Sequence, residues 1–330
     1  MNILNFQVLN LNPRLSLVRE GIKLCRDNNI RFILSVGGGS AADTAKAIAA
    51  GVPYDGDVWD LFVGKGTLKE VLPVGVIMTL PATGTESSTS ANIMNEDGLL
   101  KRALTSQLMR PVFAILNPEL TFTLSNYQTA CGAADIMAHL MERYFTNVQD
   151  VDFIDRLIEA TLKTIINNVQ IVLEQPDNYA ARAEIMWAGT IAHNGLFSTG
   201  RIGDWASHEI EHEISALYDI AHGAGLSIVF PAWMKYVYKH NINRFIQFAV
   251  RVWDVDLPFE SPETIALEGI KRLTNFFKQI GLPTSFSEAN LPCDKFEEMA
   301  NKCTNNDTKT VVNFVQLTKS DIINIYNLAR

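Results

Sequence analysis

The sequence changes its pattern once, near Asn117-Pro118, and this change limits what the chain can fold into. Before that point, short apolar runs alternate with segments of helical periodicity, which is typical of a parallel sheet with helices on its faces. After it, helical periodicity continues with little interruption. We therefore predict an α/β region over residues 1–118 and an all-helical region over residues 119–330.

Apolar runs in the first region predict buried strands, and the segments between them predict helices. The strands are expected over 31–36, 71–80 and 111–116, with helices over 13–29 and 41–50. In the second region the apolar spacing predicts helices over 126–146, 151–173, 177–197, 203–218, 223–239, 241–252, 261–280 and 317–329.

Composition narrows the functional classes. The 330 residues carry a net charge of −8 and no run of basic residues, so neither nucleic acid nor an anionic membrane is an expected partner. No apolar stretch approaches the roughly 20 residues of a spanning helix, and the first residues lack the pattern of a secretory signal. The four cysteines lie far apart without a CxxC pair, which argues against a disulfide scaffold. We expect a cytoplasmic protein.

Two polar loops follow predicted strands. The turn Gly37-Gly38-Gly39-Ser40 opens a helix, so its N–H groups and the helix dipole suit a phosphate, and Asp43 and Lys46 lie in the next turns. The turn alone is weak evidence, since it matches neither a Walker loop nor GxGxxG. The loop 79–89 is rich in hydroxyl groups and follows the second strand. Two such loops at the carboxyl edge of one sheet favour a ligand there.

Histidine and aspartate residues recur at helical spacing. Asp135 and His139 are four residues apart, as are His208 and His212, and His222 follows ten residues later. Side chains four apart share a helical face and can reach one metal ion. An aspartate with two or three imidazoles suits Zn²⁺ or Fe²⁺. The alternative for Asp135 and His139 alone is an exposed carboxylate beside a core histidine.

The segment HEIEH, residues 208–212, also matches the HExxH motif of zinc metallopeptidases, in which the glutamate is the general base. The extended form of that motif needs Gly and His where this chain has Ser215 and Tyr218. A peptidase would also leave the pair Asp135 and His139 and both polar loops without a role. The peptidase is therefore kept only as a remote alternative.

Taken together, the motifs resemble those of the iron-containing (group III) alcohol dehydrogenase family, and most closely its butanol dehydrogenase and broad-range aldehyde reductase branch. The resemblance covers nearly the whole chain. Its motifs are GGGSAADTAK (37–46), TLPATGTESS (79–88), NPEL (117–120), ADIMAHLMERY (134–144) and DWASHEIEHEISALYDIAHGAGLSIVFPAWMKY (204–236).

The resemblance implies a truncated Rossmann-like dinucleotide-binding region, a helical metal-binding domain, and NAD- or NADP-linked conversion of small aliphatic alcohols and aldehydes. It implies one divalent ion, Fe²⁺ or Zn²⁺, whose ligands are Asp135, His139, His208 and His222. The catalytic residue near the nicotinamide is then His212. The implied cofactor contacts are Gly37, Gly38, Gly39, Ser40, Asp43, Thr79, Thr83, Thr85 and Lys101.

Members of the family usually begin with a further βαβ unit, which forms one wall of the cofactor cleft. The sequence lacks this unit, so we expect weak cofactor binding and keep a degenerate, catalytically weak member as the alternative function. The resemblance also allows a homodimer. Phe197, Trp205 and Leu226 are candidates for an apolar pocket wall, with plain core packing as an equally weighted alternative. His193 is expected in the core or pocket with its polar atoms satisfied, and His240 in solvent.

Overall fold

The computed structural model of the chain describes residues 3–8, 12–257 and 261–330. Within these residues the first region contains the strands β1 (Ile33–Gly37), β2 (Val74–Met78), β3 (Ser90–Asn95), β4 (Leu100–Thr105) and β5 (Phe113–Leu116). Its helices are α1 (Leu15–Asp27), α2 (Gly39–Gly51) and α3 (Val58–Phe62).

The second region is helical in the part of the chain that the structure describes. Its helices are α4 (Asn126–Tyr144), α5 (Asp152–Glu174), α6 (Tyr179–His193), α7 (Ala206–Tyr218), α8 (His222–Val237), α9 (Ile242–Trp253), α10 (Pro262–Gln279), α11 (Phe296–Cys303) and α12 (Lys319–Leu328). Short 3₁₀ helices occupy Gln107–Met109, Pro118–Thr121, Leu196–Ser198 and Tyr238–Asn241.

A parallel sheet in the order β1-β2-β5 forms the centre of the first region, which confirms the predicted α/β class. Its strands run from Ile33, Val74 and Phe113 toward one carboxyl edge. Helix α2 covers one face, where Ala42, Ala45 and Ala49 pack on buried residues of β2. These alanines are small, so the helix lies close to the strands and its first turn lies beside the loop after β2.

The opposite face of this sheet is apolar and exposed. Val36, Ile77 and Ile115 are register partners across the three strands, and Leu34 and Phe113 extend the same face. Val36 is 59% exposed and Ile115 is 48% exposed. Among the described residues, nothing covers this face as α2 covers the other.

An antiparallel hairpin of β3 and β4 was not predicted from the sequence. Its turn contains Asp97-Gly98, with Gly98 and Leu99 at positive φ, and such an Asp-Gly turn between alternating apolar residues is a hairpin signal. Ile93 and Leu104 anchor the hairpin in a core shared with α1 and α2. The hairpin also contacts the helical region, because Arg102 pairs with Glu213 at 3.0 Å.

The helical region packs around α4 and α8, which are buried along most of their lengths. Ser125 and Gln128 form a capping box that fixes the start of α4. The apolar core continues through stacked and edge-on aromatic rings, among them Phe145, Trp233 and Phe245. Because α4 lies at the centre of this core, its polar side chains are held rigidly.

All ten predicted helices are present, with one boundary difference of note, and the described ranges contain two additional helices, α3 and α11. The helix predicted over 177–197 ends at His193, because Gly195 adopts a φ of 103° and turns the chain. Helix α11 was not predicted, since its segment is short and strongly charged. In the parts of the chain that the structure describes, no helix combines the length and apolar character needed to cross a membrane.

Candidate active site

Helix α4 supplies the first two candidate ligands. Asp135 and His139 lie one turn apart on the same face and are 2% and 3% exposed. The Oδ1 atom of Asp135 is 3.6 Å from Nδ1 of His139. The helical spacing predicted from the sequence therefore brings both side chains to one point inside the protein.

Helices α7 and α8 bring the other two candidate ligands to the same carboxylate. The Nε2 atoms of His208 and His222 each lie 3.8 Å from Oδ1 of Asp135. Trp205 and Asp219 flank α7 with positive φ values, so the chain turns sharply before and after it. These turns allow His222, at the start of α8, to face His208 across the junction.

The convergent atoms fit a metal ion. Within residues 3–8, 12–257 and 261–330, Asp135 Oδ1, His139 Nδ1 and His208 Nε2 are buried without a hydrogen-bond partner. Buried polar atoms are rarely left unpaired. Ligands of a tetrahedral ion with bonds of 2.0–2.2 Å stand about 3.4 Å apart, which is close to the spacing here. One carboxylate and three imidazoles suit Fe²⁺ or Zn²⁺.

Two buried glutamates orient the histidines from behind. Glu142 accepts a hydrogen bond from Nδ1 of His208 at 2.8 Å, and Glu211 accepts one from Nδ1 of His222. A carboxylate on the outer nitrogen fixes the ring and leaves Nε2 to the metal. Neither glutamate was predicted from the sequence. The signal was their spacing, because Glu142 lies seven residues after Asp135 and Glu211 three after His208.

The pKa values of the candidate ligands follow from burial and charge. Burial lowers the pKa of His139 well below its usual value, and the nearby His193 and His208 lower it further. Burial also lowers the pKa of His208, but Asp135 and Glu142 outweigh it and raise that pKa to about 9. A neutral His139 offers a lone pair to a cation. On His208, a bound cation would take the place of the proton that the carboxylates of Asp135 and Glu142 favour.

His212 lies beside this cluster rather than in it. Its ring centroid is 5.5 Å from that of His222, and it faces the open cleft. Burial, followed by the charge of Lys101, lowers its pKa well below the usual value, so the ring is neutral near pH 7. Glu209, the base of a peptidase reading, pairs instead with Lys309 at 2.9 Å.

A cleft of about 650 Å³ lies between the two regions, with His139, His208, His212 and His222 in its wall. Six of the nine predicted cofactor contacts also line it: Gly39, Ser40, Asp43, Thr83, Thr85 and Lys101. The other three, Gly37, Gly38 and Thr79, are not among the lining residues. Thr79 donates its N–H to the carbonyl of Gly37 at 2.9 Å, and Gly38 packs under Leu80.

A buried lysine joins the two polar loops. Nζ of Lys46 lies within 3.4 Å of five oxygen atoms of Thr85, Ser88 and Ser90. Asp43 accepts from the Thr85 hydroxyl at 2.5 Å and from the Asn92 N–H at 2.9 Å. Burial lowers the pKa of Lys46 to about 8, opposed by the charge of Asp43. The network fixes the second loop and the hairpin against the helix that follows the glycine-rich turn.

Lys101 extends from β4 toward Glu211 and His222, on the side of His222 that faces away from Asp135. Its Nζ lies 3.9 Å from Glu211 and 3.5 Å from Nδ1 of His222. The side chain is 4% exposed, although it also borders the cleft. Its role as a cofactor contact stays a prediction.

The predicted apolar wall is wrong for two of its three residues. Trp205 lines the cleft, but Phe197 and Leu226 are buried in the helical core. Periodicity cannot separate the two places, because both require an apolar side chain. His193 also lines the cleft and packs 4.2 Å from His139 between centroids. Its Nδ1 has no partner within the described ranges, contrary to expectation, while His240 is exposed as expected.

Family models match both regions of the chain. The family model "Iron-containing alcohol dehydrogenase" matches residues 2–118. The model "Fe-containing alcohol dehydrogenase family, C-terminal" matches residues 129–330. The chain belongs to the iron-containing alcohol dehydrogenase family. The resemblance stated from the sequence motifs is thereby confirmed.

Individual members of the iron-containing alcohol dehydrogenase family align over most of the chain. The probable NADH-dependent butanol dehydrogenase 2 of Bacillus subtilis is 43% identical, over 95% of this chain and 81% of its own length. The NADPH-dependent aldehyde reductase YqhD of Escherichia coli is 36% identical over 88% and 76%. The solved structure of NADH-dependent butanol dehydrogenase A from Thermotoga maritima superposes with a TM-score of 0.93 at 38% identity, covering 97% of this chain and 82% of that one.

Proposed function

We propose that this iron-containing alcohol dehydrogenase is a metal-dependent, NAD(P)H-linked enzyme that interconverts short aliphatic aldehydes and alcohols. The observation that carries the proposal is the convergence of Asp135, His139, His208 and His222 on the wall of a cleft whose opposite wall contains the two strand-end loops. Relatives named for butanol and for aldehydes support the same substrate class.

The chain's own residues divide the work. Asp135 and the three imidazoles would hold a divalent ion, Fe²⁺ or Zn²⁺, while Glu142 and Glu211 keep two of the rings aimed at it. Such an ion would supply Lewis-acid polarisation of the substrate oxygen, and a nicotinamide would supply the hydride. His212 stands in the cleft as a neutral base and would exchange the alcohol proton with solvent.

The loops would bind the cofactor. Gly39 and Ser40 present the N-terminus of α2 to the cleft, which favours the pyrophosphate. Thr83 offers a hydroxyl group from the second loop, while the Thr85 hydroxyl holds that loop to Asp43 and Lys46. Relatives named for NADH and for NADPH both align here. We therefore propose that this chain uses NADH or NADPH.

Steady-state reduction of butanal with NADH and with NADPH tests the proposal, using protein reconstituted with Fe²⁺ or Zn²⁺. We expect activity that disappears on chelation and returns with one metal equivalent per chain. Cofactor affinity is measured alongside by fluorescence titration. Retained metal and bound cofactor without butanal reduction would favour the degenerate member, and absence of stoichiometric metal would contradict the proposed site.

A further inference from the structure

Arg143 carries a positive charge into the cleft next to the candidate metal centre. It lies on α4 four residues after His139, so the two side chains share a helical face about 6 Å apart along the axis. The residue is 3% exposed, and it lines the same cleft as His139, His193 and Trp205.

The contacts of Arg143 contain no carboxylate. Its Nη1 donates to the carbonyl of His139 at 2.7 Å, and its Nε donates to Oγ of Ser198 at 3.1 Å. The guanidinium lies 4.6 Å from the ring centroid of Trp205. Within the described part of the chain, Nη2 donates no hydrogen bond and Arg143 forms no ion pair.

The neighbouring carboxylates are committed elsewhere. Glu142 accepts from the N–H groups of Trp205 and His208 and from the ring of His208. Asp43 and Glu209, which border the cleft, have Lys46 and Lys309 as their cations. Burial lowers the pKa of Arg143 to about 10, opposed by the charge of the adjacent Glu142, so the group stays charged at neutral pH.

Other buried arginines show that a pair is the usual solution here. Arg201 and Arg244 both bind Asp155. Arg182 has no ion pair with any described residue either, but it does not border the cleft and donates to Thr129 and the carbonyl of Pro176. A buried charge without an ion-pair partner is costly. Glu142 acts on Arg143 only through space, and Arg143 lines the cleft, where a ligand can supply a bonded carboxylate.

The position of Arg143 favours contact with the substrate over contact with the cofactor. Its contacts, His139, Ser198 and Trp205, belong to the helical region, and none of its described contacts comes from the strand-end loops. A ligand whose reacting carbon lies at the metal cluster would reach Arg143 with the other end of a short chain. The guanidinium fork matches a carboxylate in shape and charge.

We propose that Arg143 binds a carboxylate at the far end of the substrate, so that the enzyme prefers short aldehydes carrying an acid group, such as succinic semialdehyde, over uncharged ones. The inference rests on the proposed function. In the reaction, NAD(P)H gives a hydride to the carbonyl carbon and a proton adds to its oxygen. The products are NAD(P)⁺ and the ω-hydroxy acid, and the carboxylate is unchanged.

Succinic semialdehyde and butanal form the matched pair of substrates, because they differ only at the end remote from the aldehyde. We expect a kcat/KM at least about 10-fold higher for the acid, as a charge-assisted hydrogen bond supplies. Arg143→Gln should lower the ratio of the two kcat/KM values by about 10- to 100-fold, mainly through the KM of the acid. Arg143→Lys should restore part of the ratio, and the control Arg182→Lys should leave it unchanged.

Ligand-observed NMR provides a readout without turnover. The metal-free protein should bind 4-hydroxybutyrate in preference to 1-butanol, and Arg143→Gln should abolish this preference. Equal binding of the two ligands, or a substrate ratio that Arg143→Gln leaves unchanged while butanal is reduced, would overturn the inference alone. Failure to reduce either aldehyde would contradict the proposed function, and the NMR comparison would still decide the role of Arg143.

Discussion

The helical region and the α/β region are held together in different ways. The helical region surrounds α4 and α8 with a continuous apolar core, and three of its four candidate metal ligands, Asp135, His139 and His208, are buried. The α/β region has a sheet covered on one face only, with Val36 and Ile115 exposed on the other. Its cofactor loops are fixed largely by one polar network around Lys46.

This difference indicates that the candidate metal ligands and the cofactor loops are held in place by different interactions. The candidate metal ligands are preorganised by packing and by the two buried glutamates, which hold the rings against local movement. The cofactor loops depend on hydrogen bonds to a single buried cation, and removal of that cation would leave several acceptors unsatisfied. Damage to the cofactor site should therefore lower turnover but leave the metal content unchanged.

The largest effect is expected from His208→Ala, which removes a ligand from the cluster. The variant should lose its metal ion and at least about 1000-fold in butanal reduction, because several kcal/mol of carbonyl polarisation are lost. Cofactor affinity should change little if the two regions act separately. Metal analysis and NADH titration check this, with the exposed His240→Ala as the control, and a retained stoichiometric ion would refute the ligand assignment.

His212→Ala should separate chemistry from metal binding. We expect full metal content and a loss of about 100- to 10 000-fold in turnover, the usual range for a missing acid–base group. Casein should not be cleaved by either protein. Loss of the metal in His212→Ala, together with peptidase activity in the unmodified chain, would instead support the HExxH reading.

Lys46→Met should weaken the cofactor site without touching the metal site. The hydroxyl and carbonyl oxygens around Nζ lose their shared donor, so we expect NADH affinity to fall by about 10- to 100-fold. Metal content should be unchanged. Lys23→Met is the control, since Lys23 forms an exposed pair with Asp27 worth little. An equal loss of metal and cofactor would show that the regions are coupled.

Asp204→Asn should show the cost of ionisation inside the helical region. Burial, followed by the charge of Glu142, raises the pKa of Asp204 to about 7. The folded chain therefore binds this proton more tightly than the unfolded chain, and stability falls as pH rises from about 4 to 7. Asn removes that dependence, so the variant should gain up to about 2 kcal/mol over the parent above pH 7. Denaturant unfolding at pH 5 and pH 8 measures it, and an equal difference at both values would contradict the shift.

The smallest effect concerns the exposed sheet face. Val36→Thr should change the free energy of unfolding by less than about 0.5 kcal/mol, whereas the isosteric Val76→Thr should cost about 1–3 kcal/mol, because Val76 is fully buried. Denaturant titration of both variants compares the faces directly. A similar cost at both positions would mean that the outer face is covered in solution.

Local patterns in the sequence were sufficient for much of the site. The spacing of Asp135 and His139 required a shared helical face, and a glycine-rich turn between strand and helix placed backbone N–H groups at a sheet edge. These relations depend on residues a few positions apart, and the periodicity of the helix fixes them. The hairpin of β3 and β4 was missed although its Asp-Gly turn was visible, because its strands are short and partly polar.

The sequence alone determined the α/β-then-helical order, the two strand-end loops and the set of residues able to bind metal. Only the tertiary structure decided that His208 and His222 meet Asp135, and that Glu142 and Glu211 orient them. It also decided that Arg143 lines the cleft with no carboxylate among its described hydrogen-bond partners. Each of these observations depends on side chains from different helices, or on all the neighbours of one side chain. Helical periodicity defines the face on which a residue lies, and the packing of distant segments determines what that face contacts.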